Sequence, residues 1–81
     1  MRAPYPESAK AARVEGVVIV DLIISKEGTV LEATLIEGPG YGLNESALEA
    51  LKQFEFSPAQ RRNEKVTVKI RYKYKFKLET D

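Results

Sequence analysis

The side chains available for chemistry are 13 lysines and arginines, 12 aspartates and glutamates, and a few hydroxyls; the chain has no histidine and no cysteine. Without histidine it lacks the commonest general base and metal ligand. Without cysteine it has neither a disulfide nor a thiolate metal site. Ser25, Ser46 and Ser57 therefore have no imidazole to activate them. Gly38, Gly40 and Gly42 alternate through a turn, but no Lys-Ser/Thr follows to complete a phosphate loop. Asp21 is the one carboxylate set in an apolar run, and a cross-strand ion pair is its simplest use. These eliminations point away from an enzyme and from any cofactor.

The cations carry the pattern. From Val66 to Leu78 every even position is apolar or aromatic, and every odd position after Thr67 is basic. Period-two alternation belongs to a strand with one buried and one wet face. Val66, Val68, Ile70, Tyr72, Tyr74, Phe76 and Leu78 would face a core. Lys69, Arg71, Lys73, Lys75 and Lys77 would form a ladder on the other side. Charge is accordingly uneven. Residues 1–60 hold five basic and nine acidic side chains, a net −4, and residues 61–81 hold eight and three, a net +5. A basic surface of this kind attracts anionic partners. Lysines also keep a strand edge from aggregating.

Nucleic acid is one anionic partner to weigh. Stacking aromatics would have to share the open face with the cations. Tyr72, Tyr74 and Phe76 fall in the opposite phase, so the sequence argues against nucleic acid. Capture of an acidic peptide by strand addition suits an edge strand better, because its unpaired backbone supplies the donors and acceptors.

The remaining elements must position that strand. At 81 residues the chain is expected to form a single domain over 1–81, burying roughly 60% of its unfolded surface. It has no apolar run of about 18 residues to span a membrane. Met1-Arg2-Ala3-Pro4 is not followed by the apolar segment of a signal peptide. Pro6 suits the first position of a short helix that ends near Arg13, with Glu7 and Arg13 matching its dipole and Tyr5 as anchor. After Gly16, Val17 to Ile24 reads as a central strand, apolar on both faces. Ser25-Lys26-Glu27-Gly28 is a tight turn. The second strand, Thr29 to about Glu37, needs a bulge near Leu31-Glu32 to bring Val30 into phase with Ala33 and Leu35.

Gly38 to Gly42 is a loop. Asn44 then caps a helix running to about Phe54, with Ala47, Ala50, Leu51 and Phe54 on one stripe. Arg61 to Lys65 is a polar loop before the last strand. The expected fold class is α+β and two-layer. A three-stranded antiparallel sheet of order 2-1-3 carries two helices, in chain order α-β-β-α-β. The longer helix should cover Val18, Val20, Leu22, Leu35, Ile70 and Tyr72. The last strand is left as an edge. Val17, Ile19 and Ile23 make a modest apolar patch on the open face, suited to a dimer contact or to cover by terminal segments.

Together these residues resemble the C-terminal domain of TonB-type energy transducers. The match comprises Tyr5-Pro6 followed by Ala9, Glu15-Gly16, the Val18/Val20/Leu22/Ile24 strand, Gly28 with Val30, and Ala47 with Ala50. Its most specific piece is Phe54-Glu55-Phe56-Ser57-Pro58-Ala59, and Phe76 completes it. It covers about residues 4–78.

The resemblance implies a periplasmic domain of an inner-membrane-anchored protein, with a membrane helix and a proline-rich spacer outside this chain. It implies an ExbB/ExbD-type motor as inner-membrane partner. It implies that the domain grips the TonB box of outer-membrane receptors to drive uptake of iron chelates or vitamins. The box would add a strand beside Val68, Lys69, Ile70, Arg71, Tyr72, Lys73, Tyr74 and Lys75. Tyr5, Pro6, Gly16, Gly28, Phe54, Phe56 and Pro58 would anchor the fold. Homodimers by pairing or exchange of the last strand are also implied. A second reading is a TonB-like peptide-binding or assembly module of another envelope protein. Two departures stand out. Arg2 and Pro4 stand where some members carry glutamine ahead of Tyr-Pro, and this chain has Lys73 where many relatives carry a proline inside the last strand, so this strand can run unbroken.

Overall fold

A computed structural model describes residues 4–57 and 59–78. Pro58, expected as a fold anchor, and Arg2 lie outside the described residues.

The elements are α1 (Glu7–Ala11), β1 (Gly16–Ile24), β2 (Val30–Glu37), α2 (Leu43–Lys52), β3 (Ala59–Arg61), β4 (Glu64–Val66) and β5 (Val68–Phe76). The main sheet has the expected order, with β1 central between β2 and β5 and both pairings antiparallel. β1 is central because its even residues Val18, Val20, Leu22 and Ile24 are all buried, while its odd residues stay half-buried or exposed on the other face. α2 packs against β2 and β1 on the buried side. Its buried Leu43, Ala47, Ala50 and Leu51 recur at helical spacing, and Leu43, Ala47 and Leu51 join the β1 row in one core cluster.

Several boundaries move. Pro6 is extended and serves as the N-cap of α1 rather than its first helical residue, with Lys10 N–H donating to its carbonyl at 3.0 Å. The helix stops at Ala11 because Arg13 turns left-handed (φ 56°). Val14 N–H then reaches back to Ala9 O and Arg13 N–H to Lys10 O, a Schellman-type end without the usual glycine. Lys10, not Arg13, is the basic residue of the last turn.

Asn44 does not cap α2. Gly42, left-handed at φ 80°, holds that position, and Asn44 Oδ1 instead accepts from Gly40 N–H at 3.2 Å. The helix thus starts early enough to bury Leu43 completely. It ends at Lys52, so Phe54 joins the core from beyond the helix, its N–H donating to Leu51 O.

The bulge near Leu31 is present. Ile23 faces Glu32 and Ile24 faces Val30, leaving Leu31 extra. A second bulge leaves Ile36 extra between the Val20–Leu35 and Ile19–Glu37 pairs. Leu35 lies at 39% exposure and is not part of the buried core, contrary to the expected helix footprint.

The largest correction concerns the last strand. Val66 to Leu78 is not one strand: Thr67 interrupts it, and Val66 belongs to β4. Arg61 to Lys65 is not a plain loop. β3 and β4 form a small hairpin whose two-residue turn, Arg62-Asn63, has both φ values positive (53° and 67°). That is the type I′ pattern, whose twist matches the flanking strands.

Candidate functional site: the β5 edge and its floor

β5 pairs with β1 without a register shift, from Val68 opposite Ile24 to Phe76 opposite Gly16. Nine residues are held straight because each even side chain rests on the core side and each odd one points to water. Val68, Ile70, Tyr72 and Tyr74 are half-buried, and Phe76 is buried at 4% exposure. Among the described residues no strand pairs with the outer side of β5. The backbone groups facing that way form the open edge.

The eight residues proposed from sequence as the edge, Val68 to Lys75, all lie on this one strand. On the open face Asp21 sits directly opposite Arg71. Arg71 grips it with both arms, Nε to Oδ1 at 2.8 Å and Nη2 to Oδ2 at 3.2 Å. Lys69 Nζ lies 3.8 Å from Oδ2. The Arg71 hydrogen bonds, reinforced by the charges of Arg71 and Lys69, hold the Asp21 carboxyl below the usual carboxylate range, against the opposing effect of burial. The expected cross-strand pair is therefore the use made of Asp21. Lys73 and Lys75 have no carboxylate partner among the described residues, so their charge is available at the edge.

Aromatic rings floor β5 on the buried side. Phe54 and Phe56 each meet Tyr72 edge-on, at centroid distances of 6.0 and 6.3 Å. Tyr74 stacks obliquely on Phe76 at 4.9 Å, and Tyr5 closes the row against Phe76 at 5.5 Å. Tyr5 also donates its hydroxyl to Val14 O. Burial, with the nearby Glu15 charge, pushes its phenol pKa up. Glu15 in turn accepts from Leu78 N–H at 2.8 Å, tying down the chain just past β5.

The remaining anchors act through close backbone approach. Gly28 has φ 91°, and a Cβ there would lie 1.9 Å from Phe56 O. Only glycine admits that contact, in which Phe56 N–H donates to Gly28 O at 2.8 Å and Thr29 bridges Glu55. The β1–β2 turn thus seats the Phe54-Glu55-Phe56 segment under β5. Gly16 lies against the Pro39 ring, which a Cβ would meet at 3.0 Å. Pro6 packs near Gly42, joining α1 to the start of α2. Ser25, the buried polar residue of the turn, bonds Thr29 Oγ1 at 2.7 Å and accepts from the Glu27 and Thr29 amides. Its hydroxyl is a structural part of the turn.

Sequence reasoning missed the cleft between this floor and the edge. Gln53, Phe54, Glu55, Tyr72 and Tyr74 line an open depression of about 550 Å³. Its position depends on where the segment after α2 crosses the sheet, which no local pattern reports. Among the described residues no cluster of acidic side chains is arranged to hold a metal, and no helix is long and apolar enough to cross a membrane.

Comparison with known proteins agrees with this architecture. Residues 1–78 match the family described as Gram-negative bacterial TonB protein C-terminal. Protein TonB of Vibrio cholerae serotype O1 is 34% identical over 76 residues, covering 93% of this chain and 31% of that protein. The chain therefore spans about a third of that curated relative's length. The three-stranded sheet with two helices, the Gly28-seated aromatic segment and the match over residues 1–78 lead to one conclusion: the chain belongs to the TonB C-terminal domain family.

Proposed function

We propose that this chain is the receptor-binding domain of a TonB-type energy transducer, working in the periplasm. It binds the TonB box of outer-membrane receptors by adding it as a strand along β5. A region outside this chain couples it to an inner-membrane ExbB/ExbD-type motor driven by the proton gradient, and the pull opens the receptor to iron chelates or vitamins. The observation that carries the reading is the edge itself. β5 offers nine unshifted residues with an open outer side, and Lys73 and Lys75 stand ready for acidic side chains. Main-chain hydrogen bonds supply affinity in such pairing, and the flanking charges speed capture and select partners.

NMR titration with an acidic TonB-box peptide tests this. Amides of Val68 to Lys75 should shift; shifts confined to α2 or to β2 would sink the reading. Proline in place of Ile70 or Tyr72 should weaken binding, because the ring bars hydrogen bonding and the extended ladder.

Self-pairing of β5 is the second use of this edge. The unbroken register at Lys73 supports it, but two such edges bring their lysine ladders side by side, which like charges oppose. Any homodimer through β5 should therefore strengthen as salt is added, as sedimentation would show.

A further inference from the structure

The two faces flanking the β5 edge offer an added strand different chemistry. On the open face, Lys69 and Arg71 are engaged by Asp21, and Lys73 and Lys75 remain. On the other face, Tyr72 and Tyr74 are half-buried and border the cleft completed by Gln53, Phe54 and Glu55. At about 550 Å³ it has room for a large side chain. α2 lies under β2 and β1, so this part of the β5 underside is floored by the Phe54 segment instead of by a helix.

We propose that this cleft is a side-chain subsite, and that the peptide it selects alternates acidic residues with an aromatic one placed level with Tyr72 and Tyr74. The inference rests on strand addition at β5 and says what that strand must carry. Successive side chains of an added strand point to opposite faces. Those on the open face come beside Lys73 and Lys75, at the roughly 5 Å Cβ separation of cross-strand neighbours. Those on the other face come beside Tyr72 and Tyr74, over the cleft. The edge-to-face rings of Phe54 and Tyr72 favour an aromatic guest. The exposed carboxylate of Glu55 on the rim disfavours an acidic one.

The two readouts are in opposite phase, and that gives the site a register. A slip of one residue sends the peptide's acids toward Glu55 and its ring toward the lysines. Backbone pairing alone is indifferent to such a slip; the cleft and the lysines together are not.

The test uses the whole chain and synthetic peptides as long as β5, nine residues. The parent peptide alternates glutamate with threonine and carries phenylalanine in place of a central threonine. It should shift the β5 amides and give ring contacts to Phe54 and Tyr72 in NMR. Replacing its phenylalanine by alanine should weaken binding about tenfold. Moving the phenylalanine onto a glutamate position, so that ring and acids share a face, should weaken it comparably. On the protein side, Glu55→Lys should make the cleft accept glutamate in place of that phenylalanine, and the exposed position of Glu55 leaves the fold intact.

Strand addition and the subsite fail separately. Shifted β5 amides with equal affinity for the phenylalanine and alanine peptides overturn the subsite and leave strand addition standing. An unchanged preference in Glu55→Lys also overturns the subsite. If no peptide moves the β5 amides, strand addition fails and the subsite falls with it.

Discussion

β2 and β5 flank the same central strand, yet only one is built to accept a partner. β5 keeps register with β1 over all nine of its residues. β2 loses register twice, at Leu31 and at Ile36, and each bulge leaves a large apolar side chain exposed, at 62% and 45%. The charges differ as well. On the open face β2 sets Glu32, Thr34 and Glu37 opposite Ile23, Asp21 and Ile19, while β5 sets Lys69, Arg71 and Lys73 opposite the same three residues. A bulge bends a strand and interrupts its ladder, so β2 is a poor template for pairing despite being an edge. The difference shows that an exposed edge is not by itself a binding site. Straightness and charge decide which edge is used.

The strongest way to break the contrast is at Gly28, which joins the two sides of the sheet. Alanine there would need φ 91° and would drive a Cβ into Phe56 O at 1.9 Å. The segment flooring β5 would have to lift away. Gly28→Ala is expected to cost about 3 kcal/mol or more in urea unfolding. Hydrogen exchange should show β5 amides losing more protection than those of α2. Equal loss across the sheet would mean that the floor does not support β5 in particular.

Reversing charge comes next in size. Lys73→Glu with Lys75→Glu should weaken an acidic peptide at least about tenfold, or 1.4 kcal/mol, and flatten the salt dependence of binding. The mirror change on the other edge, Glu32→Lys with Glu37→Lys, should leave the affinity within about twofold. Calorimetry across a salt series separates the two. If both double variants behave alike, long-range charge rather than the β5 edge governs capture.

Much of this contrast was readable before any coordinates. The alternation from Val68 to Phe76, the apolar run of β1, the turn at Gly28 and the phase break at Leu31 are local signals, and each points to what is observed. Asp21 lies on the open face beside the cationic ladder, where a cross-strand ion pair is its simplest use, and Arg71 is that partner. Each miss has its own physical cause. Val66 and Val68 stay in phase across Thr67, so side-chain alternation is blind to the change of hydrogen-bond partner from β3 to β1. Ile36 follows Leu35 in an apolar pair that hides its bulge. Asn44 has the chemistry of a helix cap, but the left-handed Gly42 starts the helix sooner and turns that side chain to Gly40. The cleft beside Tyr72 depends on long-range placement, and no window of sequence contains it.

Deleting Leu31 sharpens the comparison from the β2 side. Val30 already faces Ile24 and Glu32 already faces Ile23, so removing the extra residue lets those pairs follow one another regularly. The variant should gain a straighter β2 edge and self-associate at concentrations where the parent does not, as light scattering would report. A variant that stays monomeric would shift the protective role from the bulge to Glu32 and Glu37.

The smallest effect is expected at Asp21, the one ionic tie between β1 and an edge strand among the described residues. Arg71 holds the Asp21 pKa below its unfolded value, so the pair stabilises the fold when pH is above that unfolded value, about 4. The contribution is lost as pH falls through the lower, folded value. Parent and Asp21→Asn should therefore differ by a constant amount near neutral pH, and the gap should close below about pH 4. Both cations are largely solvated, so the gap is small and shrinks with salt. It should nevertheless be one-sided. Losing the tie leaves Lys69 and Arg71 facing each other without an anion, which loosens β5 from β1, while β2 has no charge bound to Asp21. Faster exchange at β5 amides with β2 unchanged is the expected result. Equal loosening of both strands would place Asp21 in the stability of the whole sheet, and the pair would no longer distinguish the two edges.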